Sequence, residues 1–221
     1  YKLNTGMEVA DRFLNDLLSA VEQFPEPEAL ESAVVLKAWD RKTDAGSKGA
    51  VLFEAWWNEL RFDMFEVQWN KENPVTTPSG LKERKQAVEL LVKASKNIKE
   101  KYGSPDIAWG AVNRFRIGTY DYPANGGPDN LGVFRTMYFA DDKDNKRHAV
   151  HGDTYVAVTE FGEKVRASVL LSYGNATQPG NKHIGDQLKM LSEKKLRPAL
   201  LERDDILKNL EKQEYLSIEK L

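Results

Sequence analysis

The side chains most able to do chemistry stand between residues 142 and 187, and each set has a plain structural use as its competitor. Asp142, Asp144 and Asp153 fall at positions 1, 3 and 12 of a calcium-loop spacing. Position 5 is Lys146, position 6 is Arg147 where the sharp turn needs glycine, and position 12 is Asp in place of a bidentate Glu. The segment is therefore expected to be a solvated hairpin turn. His148 and His151 stand three apart beside Asp153, a metal constellation if they lay on a helix. In a strand, residues i and i+3 point to different faces, which predicts ordinary hydrogen-bonded histidines and no metal. The chain has no cysteine, which removes disulfides, thiolate catalysis, Fe–S clusters and most structural zinc sites. No cofactor is expected.

Two further sets read as structural. Gly46-Ser47-Lys48-Gly49 lacks the Walker spacing and reads as a flexible connection that would not cradle a phosphate. Trp56-Trp57 suggests a sugar or base platform, but helix packing accounts for most of the aromatic side chains, and only Trp57, off the main apolar stripe, is expected to be exposed. The segment 172–187, Ser-Tyr-Gly-Asn-Ala-Thr-Gln-Pro-Gly-Asn-Lys-His-Ile-Gly-Asp-Gln, resists such a reading. A long loop rich in Gly, Asn and Pro between a buried strand and a helix is expected to be a structured clamp. Gly174, Pro179 and Gly180 set its turns. Asp186 is placed to favour first-turn N–H groups of the following helix, and His183 to bond back across the loop, with Gln187 behind them.

The elements that position these residues follow from periodicity. Thr5 and Glu8 form a capping-box pair before a stripe of Met7, Phe13, Leu14, Leu17, Leu18 and Val21. Phe24-Pro25-Glu26-Pro27 ends that helix. A second pattern runs through Leu30, Val34 and Trp39, and a third through Val51, Trp56, Leu60 and Met64. A fourth runs from Leu81 through Val88, Leu91, Val92 and Ile98 to a C-terminal signal at Lys99, Lys101 and Gly103. After Pro105 the period becomes that of strands, placed at 112–117, 133–139, 154–161 and 165–172, with a polar turn at 141–145 and a tight one at 161–163. Helices return at 183–195 and 204–214. The fold class is α+β: a helical first half (1–104), then an antiparallel-sheet region with C-terminal helices (105–221), the two forming one structural unit.

Composition bounds the function. At 221 residues the chain can bury roughly 70% of its unfolded surface. With 41% hydrophobic and 30% charged residues and a mean hydropathy of -0.58, it is that of a globular protein, and its apolar runs are far short of a bilayer span. Thirty-two basic against 34 acidic residues leave a net charge of -2, which gives no bulk attraction for nucleic acid or anionic lipid. Tyr1-Lys2-Leu3-Asn4 carries neither an initiator Met nor a signal sequence, so a mature product or a segment of something longer is expected.

Five ordered blocks carry a family resemblance: Trp109-Gly110-Ala111-Val112-Asn113-Arg114; Pro123-Ala124-Asn125-Gly126-Gly127-Pro128; Leu131-Gly132-Val133-Phe134-Arg135; Gly152-Asp153-Thr154-Tyr155-Val156-Ala157-Val158-Thr159-Glu160-Phe161; and the 172–187 loop, with Gln187-Leu188 and Arg197-Pro198 behind it. Over 102–214 the chain resembles the C-terminal part of the β chain of penicillin-amidase-type N-terminal nucleophile hydrolases, nearest the acyl-homoserine-lactone acylase branch. The helical half fits by position and pattern.

The resemblance implies part of an αββα sandwich and amide hydrolysis through an acyl-enzyme. The β-chain N-terminal serine is the nucleophile, its α-amino group the base, and a backbone N–H with an Asn side chain the oxyanion site. Such enzymes cut themselves at a Gly-Ser bond followed by Asn. Here the Gly-Ser pairs are followed by Lys48 and Pro105, and Tyr1 cannot serve as nucleophile. No catalytic residue is therefore expected in this chain, and the segment alone is expected to be inactive. Implied partners are the rest of the β chain and the α chain. Implied substrates are an acyl-homoserine lactone, a lipopeptide or a β-lactam side-chain amide, outside the cytoplasm. Asn175 and His183 are the residues that could touch substrate in the complete enzyme. The alternative is a non-catalytic binding or scaffolding module of the same fold.

Overall fold

The computed structural model describes residues 2–215. Helix α1 (Glu8–Gln23) buries Val9, Ala10, Phe13, Leu14, Leu17, Ala20 and Val21 on one stripe. Its N-cap is Met7 with no side-chain cap, because the Thr5 hydroxyl donates instead to Asp44 Oδ1 at 2.6 Å. The capping box expected from Thr5 and Glu8 is thus replaced by a long-range bond. Helix α2 (Pro27–Ala38) starts on a proline, whose missing N–H costs nothing there. It buries Ala29, Ser32, Ala33 and Leu36, whereas Leu30 and Val34, expected to face the core, are exposed. Small residues on the inner face let α2 lie close to its neighbours, so the bulky stripe misidentified the face.

Helix α3 (Ala50–Trp57) is half the expected length. Beyond it come a single 3-10 turn (Phe62–Met64) and strand β1 (Phe65–Val67), paired antiparallel with β2 (Ser79–Leu81). Leu81 therefore lies in a strand and not in the fourth helix. Trp57 is half-buried against Phe13 and Phe65, with ring centroids at 5.1 and 5.6 Å, and is not a free platform. Helix α4 (Arg84–Tyr102) buries Ala87, Val88, Leu91, Ala94, Ser95 and Ile98. It ends as its sequence signals: Gly103 at φ 85° donates its N–H to Lys99 O.

After a short helix α5 (Trp109–Val112), strands β3 (Asn113–Ile117), β4 (Tyr120–Pro123), β5 (Tyr138–Asp141) and β6 (Arg147–His151) form a sheet in the order β4-β3-β6-β5. β3 and β6 are parallel, the exception to the antiparallel pattern expected. β4 and β6 carry too many polar residues for their alternation to be read, and the run 133–137 is irregular, with β5 starting only at Tyr138. Strands β7 (Tyr155–Glu160) and β8 (Arg166–Leu171), helix α6 (Leu188–Ser192), strand β9 (Arg197–Ala199) and helix α7 (Arg203–Lys208) complete the described chain. β7-β8-β9 is a second, antiparallel sheet. Both C-terminal helices are shorter than expected.

Two apolar clusters hold these layers. The helical one takes in Trp109, Val112, Leu131 and Val133 from beyond residue 105. The other joins Phe115, Ala124, Met137, Ala149, Val156, Leu170, Leu188 and Leu191, and Phe139 packs against both.

Candidate functional site

The loop 172–187 closes on itself through hydrogen bonds. Leaving β8, the Ser172 N–H donates to Thr154 O at 2.8 Å, and the Tyr173 hydroxyl donates to Ala149 O at 3.1 Å. Burial raises the Tyr173 pKa, which keeps its proton on that bond. A side chain at Gly174 would collide with the His183 carbonyl and the Asp186 carboxylate, so glycine is required where the two ends of the loop meet. The Ala176 N–H donates to His183 O at 3.3 Å, and Asn181 Oδ1 accepts from the His183 N–H at 2.9 Å. Gly180, after Pro179, takes φ 83° and turns the chain.

His183 Nδ1 lies 2.7 Å from Asp186 Oδ2, so the two residues meet. Asp186 does not cap α6, whose N-cap residue, Gln187, makes no side-chain capping bond to the helix. Its carboxylate is already engaged by the imidazole. The expected helix also starts late, because Gly185 packs so closely on the Tyr120 ring that no Cβ would fit, and the Tyr120 hydroxyl donates to Lys182 O at 3.3 Å.

Gln187 ties the loop to the sheet. It is 4% exposed; its Oε1 accepts from the Leu171 N–H at 3.0 Å and from Arg197 Nε at 3.4 Å, and its Nε2 donates to Asn175 Oδ1 at 3.0 Å. Its own N–H donates to Tyr173 O at 3.1 Å. Asn175 and His183 thus both spend side-chain atoms inside the loop.

The far end of α6 is held by two residues that sequence reasoning marked only as part of the family blocks. Asn125 Nδ2 donates to Ser192 O at 2.7 Å, and Arg135 Nη2 donates to Leu191 O at 3.2 Å. These are terminal carbonyls beyond the reach of intrahelical N–H groups; Leu191 O also accepts from the Lys194 N–H at 3.3 Å, and the buried side-chain donors add to that. Arg135 is fully buried; burial pushes its pKa below the ordinary value, against the opposing charges of Asp153 and Asp44. The signal available was an arginine set among Leu131, Val133, Phe134 and Met137. Beyond α6, Lys194 pairs with Asp44 and donates to Thr5 Oγ1 at 3.3 Å. Burial alone would raise the Asp44 carboxyl, but bonds from Lys194 and Thr5 outweigh it and hold the pKa low.

The remaining candidates separate. Ser172, His151 and Asp153 line one cavity of about 140 Å³, yet among the described residues no hydrogen bond joins them. Asp153 Oδ1 is paired with Lys2 at 2.8 Å, and His151 stands edge-on to Tyr138, so no nucleophile–base relay is assembled. His148 faces Asp142 at 3.7 Å, and Asp142 itself accepts from Arg116 at 2.8 Å. Among the described residues no group of three or more His, Asp or Glu could hold a metal ion. No helix there is long and apolar enough to cross a membrane. The loop at 46–49, read as a flexible connection, is tied down: the Trp109 N–H donates to Ser47 O and the Gly110 N–H to Ala45 O, both at 2.9 Å, and the Ser47 hydroxyl donates to Asp40 at 2.9 Å.

The family model of penicillin amidase matches residues 1–208. The acyl-homoserine lactone acylase PvdQ of Pseudomonas savastanoi pv. phaseolicola is 31% identical over 168 residues, covering 72% of this chain and 22% of that protein. PvdQ of Pseudomonas fluorescens is 30% identical over 191 residues, covering 81% of this chain and 25% of its own length. The chain thus spans about a quarter of the length of these relatives. A solved thermostable penicillin G acylase from Alcaligenes faecalis aligns with 97% of this chain and 47% of its own, at a TM-score of 0.48 and 15% identity. With the family match running through the helical half as well as the strand-rich half, the chain belongs to the penicillin amidase family.

Proposed function

We propose that this chain is the C-terminal segment of an amidase that hydrolyses the amide bond of an acylated small molecule, an acyl-homoserine lactone first among the candidates. The observation that carries the reading is the family match over nearly the whole chain, together with relatives named as acyl-homoserine lactone acylases. In this reading the segment supplies helices and strands to an αββα sandwich, and the rest of the β chain and the α chain complete it. The nucleophilic serine and its α-amino base come from the part of the enzyme outside this segment, and the complete enzyme works outside the cytoplasm.

The 172–187 loop is a positioning device. Gly174 and Pro179 shape it, the His183–Asp186 pair and Gln187 hold it, and Asn175 is spent on Gln187 and not on substrate. Chemistry in the segment alone has no route, since acyl transfer needs nucleophile, base and oxyanion donors together. The test is turnover of a long-chain acyl-homoserine lactone and of a chromogenic phenylacetyl amide by the complete enzyme and by this chain. The complete enzyme is expected to turn over at least one of them and the chain to stay at background. Turnover by the chain that is abolished by replacing one of its own serines would overturn the reading.

A further inference from the structure

Among the described tryptophans Trp69, and not Trp57, is the exposed one, at 57%, and Phe62 is exposed at 75%. They do not stand alone. With Trp57 and Phe65 they line one cleft of about 340 Å³, within the range of about 300–1,000 Å³ usual for small-molecule sites. Trp57 and Phe65 are stacked at 5.6 Å and 17°, Phe62 meets Phe65 edge-on at 6.5 Å, and buried Phe13 packs on both Trp57 and Phe65 at 5.1 Å. The backbone that carries the two exposed rings is pinned. Gln68 Nε2 donates to Phe62 O at 2.5 Å. The connection from β1 to β2 closes on buried Thr77, whose hydroxyl donates to Asn73 O at 2.8 Å and accepts from the Asn70 N–H at 2.9 Å, while Arg12 of α1 donates to Thr77 O at 2.6 Å. Rings held exposed on a fixed backbone take a ligand with little further ordering.

The lining selects the ligand. Among the described residues no Asp, Glu, Lys or Arg lines the cleft, so a carboxylate or an ammonium entering it would lose its water without gaining a counter-ion. The polar side chains are the carboxamides of Asn58 and Asn130, both exposed and, among the described residues, without a hydrogen bond to protein. Two carboxamides match one amide, which presents one N–H and one C=O. They fall short of a saccharide, whose remaining hydroxyls would be stripped of water against the rings.

We propose that this cleft binds an uncharged acylated small molecule, with the acyl chain on Phe62 and Trp69 and the amide between Asn58 and Asn130. That the molecule belongs to the substrate class of the amidase rests on the function proposed above, whereas the fit to a neutral apolar amide rests on the lining. Hydrolysis of such an amide by water gives an amine and a carboxylate, and the carboxylate is the form that this lining disfavours. The cleft therefore retains the substrate class and releases the acid product.

The test is photoaffinity labelling of the complete enzyme with an N-methyl decanamide that carries a diazirine on its chain, with amidase activity measured on the same preparation and the label located by mass spectrometry. Cleavage after Arg61 and Lys71 isolates the peptide 62–71, which holds Phe62, Phe65 and Trp69. Label is expected on that peptide, displaced by unlabelled N-methyl decanamide at a concentration about tenfold lower than by decanoate. Trp69→Ala is expected to reduce the label about tenfold and Trp69→Phe to keep most of it, both with an unchanged Tm because the ring is exposed. Absence of label from 62–71 in an active enzyme would overturn the proposal, whether the rest of the polypeptide covers the cleft or the cleft has no affinity. So would label that neither the unlabelled amide nor Trp69→Ala reduces, and so would displacement by decanoate as effective as by the amide. Displaceable label on a complete protein without amidase activity would uphold the cleft and overturn the reading of function.

Discussion

Gln187 is where the clamp loop, β8 and β9 meet, and replacing it with Leu tests whether its hydrogen bonds hold the loop. The change keeps the volume roughly constant and removes two bonds at 3.0 Å, one to the Leu171 N–H and one to Asn175. Each is worth about 1 kcal/mol net, and the Leu171 N–H left without its acceptor adds about 1 kcal/mol more, for a total of about 3 kcal/mol. For a chain of this size that lowers Tm by about 6–12 °C in a thermal melt followed by circular dichroism. Gln187→Glu keeps an oxygen for the Leu171 N–H, places a carboxylate beside Arg197, and loses only the donation to Asn175. It is expected to cost about 1 kcal/mol. A Gln187→Leu protein that melts within about 1 °C of the parent would refute the reasoning, because no buried amide with these partners can be removed at so small a cost. Equal damage from Leu and Glu would refute it too, by showing that the acceptor to β8 does not matter.

The His183–Asp186 pair is more than a third exposed on both side chains, so solvent screens it, and His183→Ala is expected to cost about 1 kcal/mol or less. In the complete enzyme its activity per folded molecule should be unchanged, and a hundredfold lower turnover number with an unaltered melt would assign His183 to the substrate. Glu28 gives the pH dependence: a hydrogen bond from Ser95, with Lys99 adding to it, holds its carboxyl below the ordinary range. A pKa depressed in the folded state contributes stability above the unfolded value that is lost as pH falls, so the Tm gap between the parent and Glu28→Gln should shrink between about pH 5 and pH 3. A gap independent of pH would count against it.

Much of the helical half was legible because its signals are local. The α1 stripe and the Gly103 stop each depend on residues within one or two turns. The errors there came from packing partners. Leu30 and Val34 lost the inner face of α2 to Ala29 and Ala33, and α3 stopped at Trp57 because Phe65 was wanted in a strand opposite Leu81. In the second half β3, β7 and β8 lie where turn residues bounded the expected strands at 112–117, 154–161 and 165–172. β4, with Tyr120, Asp121 and Tyr122, and β6, with Arg147, His148 and His151, were missed because charged pairs replace apolar alternation: Arg116 with Asp121 and Asp142 at the sheet, and Arg147 with Glu54 of α3. Such pairs are chosen between elements and leave no local period.

The same distinction explains the candidate site. The composition of the 172–187 loop announced turns, and Gly174 is where its ends touch, but the partners of Asp186 could not be assigned from position alone. A carboxylate just ahead of a helix favours the first-turn N–H groups only if no stronger donor is nearer, and His183 is nearer. Arg135 and Asn125 were visible as residue types, but what they serve lies 56 and 67 residues away in sequence, at the carbonyl end of α6. From there Lys194 reaches Asp44 and Thr5, so the hydroxyl expected to cap α1 joins the helical half to the turn that follows α6. The 172–187 loop itself is held within its own half, at Ser172 by Thr154, at Tyr173 by Ala149 and at Gln187 by Leu171, so its shape depends on the two sheets, and the link to the helical half is made one helix later by Lys194.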